Sequence, residues 1–136
     1  MQLPPAHALV YLMVVAAASD REVTDREIDR IAALMSRWPV FERFDTGRLA
    51  AVAHECVETL NKGGLDALLE VIASSLEPRL QETGYALAVE ITAVDLSVNQ
   101  EELRLLEMIR DAFAIDRLIT AAIETSARIR HRRLTQ

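Results

Sequence analysis

Apolar residues along this chain recur at intervals of three and four, the spacing that lays one face of an α-helix against a core. Ala8 to Ala18 is an almost unbroken apolar run. It predicts a first helix over about 6–19, buried on nearly all sides, with Pro4 or Pro5 tolerated in its first turn. A second helix is expected after Thr24, burying Ile28, Ile31, Leu34, Met35 and Trp38 before Pro39 ends it. A third, from Asp45-Thr46, sets Leu49, Val52, Ala53, Cys56, Val57 and Leu60 on one stripe, and Asn61-Lys62-Gly63-Gly64 reads as the turn after it. Leu65, Leu68, Leu69, Ile72 and Leu76 outline a fourth helix stopped at Glu77-Pro78. Pro78 suits the first turn of a fifth, running to about Val94 with Leu80, Leu87, Ala88 and Ile91 inward. A sixth follows Asn99 with Leu103, Leu106, Ile109 and Phe113 inward. The last starts at Asp116 and is expected to bury Ile115, Leu118, Ile119, Ala122, Ile123 and Ile129. No stretch alternates apolar and polar residues strictly, so the pattern predicts an all-α fold: one domain, residues 1–136, of about seven helices.

Composition agrees and removes several function classes. Hydrophobic residues are 51% of the chain and charged ones 26%, enough for a packed core under a solvated surface. A single cysteine excludes an intrachain disulfide framework. The net charge of −6 argues against a protein that coats nucleic acid, which needs excess Lys and Arg. Ala16-Ala17-Ala18 mimics a signal-peptidase site, but Met1 to His7 carries no Lys or Arg. The apolar run is also shorter than the roughly 20 residues that cross a bilayer. A core helix in a cytoplasmic protein is the expectation, with any membrane contact peripheral.

The chain matches itself at an offset of 75 residues. Met13 to Leu34 reads MVVAAASDREVTDREIDRIAAL and Ala88 to Ile109 reads AVEITAVDLSVNQEELRLLEMI. Asp20 then meets Asp95, Val23 meets Val98, Thr24 meets Asn99 and Glu27 meets Glu102. Each copy, over about 8–38 and 83–113, is an apolar helix, a short acidic turn and an amphipathic helix. The pairing predicts two helical hairpins related by a pseudo-twofold axis. The acidic turns admit two readings. Thr24-x-x-Glu27 and Asn99-x-x-Glu102 fit capping boxes, in which the glutamate accepts from the cap residue's own N–H. They also resemble the second half of a calcium loop, with Asp20 and Asp95 as mid-loop ligands and Glu27 and Glu102 as the closing glutamates. Where the first ligands of such a loop belong stand Ala16, Ala18, Ile91 and Ala93, none with a side-chain oxygen. Neither copy is therefore a complete loop, although two half-loops together could offer several carboxylate oxygens to a hard cation.

Ala8-Leu9, Met13 to Asp20, Val23, Glu27, Phe44-Asp45-Thr46, the Asn61 to Leu65 turn and the second acidic turn Asp95-x-x-Val98-x-x-x-Glu102 together resemble the tellurite-resistance TerB-like family. The likeness extends from about Ala8 to Leu118. It implies an all-α domain with internal pseudo-symmetry, a non-enzymatic role in resistance to tellurite and other chemical stress, binding of calcium or another divalent cation, and a protein partner within a stress-response system. Carried over residue by residue, the metal ligands would be Asp20 and Glu27 in the first copy and Asp95 and Glu102 in the second. The family places Asp-Gly at each turn, whereas this chain has Asp20-Arg21 and Asp95-Leu96.

Other candidates read as structural. Glu90 lies within the fifth helix and reads as a half-buried, hydrogen-bonded carboxylate rather than a ligand, although its nearness to Asp95 in sequence would let it join an acidic cluster. Cys56 sits on an apolar stripe as a buried thiol. Arg128, Arg130, His131, Arg132 and Arg133 form a basic end, read as cations at a helix C-terminus or as a contact for anionic lipid or an acidic partner. His54-Glu55 lacks the second histidine of a zinc-protease helix, and no phosphate-binding glycine loop or nucleophile elbow is present. The expected function is a non-enzymatic stress-resistance domain that binds a divalent cation and regulates a protein contact. The alternative is a metal-independent module that docks a protein or a membrane surface.

Overall fold

The apolar segments become seven α-helices in a computed structural model that describes residues 2–18, 22–93 and 100–135. They are α1 (Pro5–Ala17), α2 (Asp25–Met35), α3 (Leu49–Gly63), α4 (Leu65–Ser75), α5 (Pro78–Ala93), α6 (Gln100–Ala112) and α7 (Arg117–Arg130). Two short 3-10 turns, Pro39–Phe41 and Thr46–Arg48, lie between α2 and α3. No strand occurs among the described residues.

The unbroken apolar run makes α1 the axis of the fold. Every residue from Ala8 to Val15 is buried, because α1 packs against α2, α3, α4 and α5 rather than presenting one face to solvent. Its approach to α5 is close. A Cβ added at Gly84 would stand 2.9 Å from Leu12 Cδ2 and 3.3 Å from Leu9 Cδ2, so the missing side chain is what lets the two backbones meet. Two corners are tied by polar side chains. Gln81 Nε2 donates to the carbonyls of Ala73 (3.0 Å) and Leu76 (3.3 Å) where α4 turns into α5. Asp45 caps the turn before α3 by accepting from Gly47 N–H at 2.9 Å.

Several boundaries and faces differ from expectation. Trp38 is not on α2: the residue before a proline is driven out of helical conformation, and Trp38 has φ −115° and ψ 115°, half-buried beyond the helix end. The turn expected over Asn61 to Gly64 shrinks to Gly64 alone, at φ 85° and ψ 169°, with α3 continuing through Gly63. Leu103 is 54% exposed rather than inward. The phase of α7 is also different. Its buried residues are Thr120 and Ala127, while Leu118 is 81% and Ile129 55% exposed and Ala122 lies on the outside. The reason is polar: this rotation turns Glu124, Arg130 and His131 toward partners on α5 and α6, which a reading based on apolar spacing could not weigh.

Candidate functional site

Of the four expected ligands, Asp20 and Asp95 lie outside the described residues. Glu27 completes a capping box. Thr24 N–H donates to Glu27 Oε1 at 2.9 Å, Thr24 Oγ1 donates to the same oxygen at 3.1 Å, and Glu27 N–H donates to Thr24 Oγ1 at 3.1 Å. The carboxylate's part in the cap thus falls on one oxygen, and the second is not used by it. Glu102 stands half-buried in the first turn of α6. Among the described residues no three or more His, Cys, Asp or Glu side chains form a group able to hold a metal ion.

One hydrogen bond joins the two helices that flank the acidic segments. Arg30, on the second turn of α2, donates from Nη2 to the carbonyl of Ile91 at 3.1 Å. That bond joins the middle of α2, the helix that follows the first segment, to the last turn of α5, the helix that precedes the second.

Glu90 is the buried, partnered carboxylate expected, and Asp95, with which it could have clustered, lies outside the described residues. Its side chain is 11% exposed on α5 and meets the basic end of α7. Arg130 Nη2 pairs with Oε1, and His131 Nε2 lies 3.0 Å from Oε2. A carboxylate in such a place needs cationic or donor partners to offset its desolvation. The second contact of Arg130 is to Ser126 Oγ on its own helix. Part of the basic end is accordingly internal structure, clamping α7 to α5.

A second polar cluster, not foreseen from the sequence, joins α5, α6 and α7. Tyr85, fully buried, donates from its hydroxyl to Glu124 Oε2 at 2.5 Å. Arg110 Nη1 donates to the Tyr85 oxygen and to Glu124 Oε2, both at 3.0 Å. Burial, reinforced by the Glu124 acceptor and opposed by Arg110, raises the phenol above its ordinary pKa and keeps it a donor. A tyrosine hydroxyl set among apolar core positions gives little periodic signal, and its partners are 25 and 39 residues away in the chain. Cys56 is the inert thiol expected: burial pushes its pKa up to about 12, and its Sγ lies 3.6 Å from the Tyr11 carbonyl oxygen.

The helical architecture and both acidic segments fall inside a match to a family model described as tellurite resistance protein TerB, over residues 6–125. The chain belongs to the TerB family. No curated protein and no solved structure matches it significantly. The match takes in most of this TerB domain and stops within α7, short of Arg130 and His131. The clamp on Glu90 thus lies partly beyond the matched segment. No helix among the described residues is long and apolar enough to cross a membrane.

Proposed function

We propose that this TerB domain acts without catalysis in tellurite or other chemical-stress resistance, as a cation-regulated binding module in the cytoplasm. Asp20, Glu27, Asp95 and Glu102 hold one divalent ion, and its presence decides whether the two acidic segments are drawn together and a protein partner is engaged. The observation that carries this reading is the Arg30 to Ile91 hydrogen bond. By joining the middle of α2 to the last turn of α5 it ties together the two helices that flank the acidic turns, which is what supports a shared coordination sphere.

The donor chemistry fits. Four carboxylates are hard oxygen ligands suited to Ca²⁺ or Mg²⁺ and poorly suited to thiophilic metals. The cap on α2 draws on Glu27 Oε1 and leaves its other oxygen outside the cap. Leu9 and Gly84, equivalent under the 75-residue offset, pack against one another, which supports a twofold relation between the halves. Without an ion the carboxylates repel, and with one bound the segments are held closed. The capping box favours a second reading, in which the acidic turns only start helices and the domain docks its partner without metal.

Calorimetric titration of chelator-stripped protein with Ca²⁺, repeated with Mg²⁺, Mn²⁺ and Zn²⁺, separates the two. Saturable heat that disappears in an Asp20→Asn/Asp95→Asn variant supports the cation site. No heat at millimolar metal rejects it and leaves the metal-independent module.

A further inference from the structure

A cleft of about 760 Å³ opens beside the Glu90 clamp, between the end of α2, α5 and α7. Its volume lies in the range of small-molecule sites, about 300–1,000 Å³. Its lining is apolar at Leu34, Trp38, Ala86, Ala122 and Ile123. It is charged or polar at Arg37, Arg130, Glu90 and His131. Glu90 is the single carboxylate of this lining and is already engaged by Arg130 and His131. Arg37 is exposed and makes no ion pair among the described residues. Among the described residues the concavity therefore keeps an uncompensated guanidinium, in a protein whose net charge is −6.

We propose that this cleft binds a small amphipathic carboxylate, with its apolar body against Trp38 and Ile123 and its carboxylate on Arg37. The charge balance selects an anion, because a cation would meet Arg37 and find Glu90 taken. The guanidinium fork matches a carboxylate in two parallel hydrogen bonds. The apolar wall selects an organic body, since a bare inorganic oxyanion would leave that wall in water. The described lining contains neither Glu27 nor Glu102, and the proposal does not depend on a bound metal.

Trp38 is the chain's one tryptophan and stands in the cleft, so its fluorescence reports occupancy directly. The probes are octanoate, octan-1-ol as the same body without charge, and inorganic phosphate as charge without the body. Octanoate is expected to give a saturable change in Trp38 emission, with octanol about tenfold weaker or more and phosphate without effect. Arg37→Gln, which leaves the Glu90 clamp intact, weakens octanoate by about tenfold and leaves octanol unchanged. The proposal is overturned by the absence of a saturable octanoate signal, by octanol binding as tightly, by phosphate producing the same change, or by Arg37→Gln binding octanoate like the parent. Because the titration is done in chelator, none of these results bears on the cation site.

Discussion

Replacing the two basic residues that hold Glu90 should destabilise the fold more than removing Glu90 itself. Removing one partner of a buried ion pair costs about 3–5 kcal/mol when the other charge is left stranded. Here Glu90 has two partners, and the Arg130 side chain is 49% and the His131 side chain 26% exposed, so water softens either loss alone. Arg130→Met, which keeps the apolar stem, and His131→Leu should each cost about 1–2 kcal/mol. The double variant leaves a carboxylate at 11% exposure without either partner and should cost about 3–4 kcal/mol. Glu90→Leu removes the buried charge along with the pair and should cost about 1 kcal/mol or less. Adding Glu90→Leu to the double variant should then restore most of the lost stability. Urea denaturation at pH 7 measures all of these as midpoint shifts at constant slope. Two results would refute the reasoning: a triple variant no more stable than the double, or Glu90→Leu alone as damaging as the double.

Other consequences are simpler to test. Gly64→Ala should cost about 1–3 kcal/mol in thermal melts. The φ of 85° with ψ 169° suits glycine alone, and no atom within 4 Å of the added Cβ offers another cause. Thr24→Ala should lower stability by about 1 kcal/mol through loss of the α2 cap; an unchanged urea midpoint would contradict the cap. Cys56 has its pKa raised from 9.0 to about 12 in the fold. Its contribution is therefore fully present below about pH 9 and lost as pH rises toward 12, by about 3 kcal/mol at pH 11. Cys56→Ala should flatten that part of the stability curve in urea titrations between pH 8 and 11, with the raised Tyr85 phenol leaving a residual slope of the same sign.

What was legible in the sequence was whatever a single period encodes. Helix existence followed from apolar spacing, and the starts of α2 and α5 followed from Thr24 and Pro78, while Pro39 and the Gly63-Gly64 pair marked the ends of α2 and α3 only to within a turn. The inward faces of α3 and α4 were read correctly at Leu49, Val52, Cys56, Leu68 and Ile72, where apolar burial alone decides which side of the helix faces in. The reading failed on α7, where Leu118 and Ile129 are exposed and Thr120 is buried. That helix is oriented by Glu124, Arg130 and His131, whose partners Tyr85, Arg110 and Glu90 lie on other helices. Long-range polar pairing leaves no local trace. For the candidate cation site, the repeat at Glu27 and Glu102 marked positions that begin helices, and the bond from Arg30 to Ile91 had no counterpart in any motif.

The placement of α1 sets a schedule for the nascent chain. Ala8 to Val15 are covered by α3, α4 and α5, all of which are synthesised later. Seventy-six residues separate the end of α1 at Ala17 from the end of α5 at Ala93. At about 5–20 residues per second, translation leaves this apolar helix without its final cover for about 4–15 s. During that interval it presents the same greasy stretch that a targeting factor or a chaperone would seek. Its length of only 13 residues then matters in the cell for a reason unrelated to the finished fold.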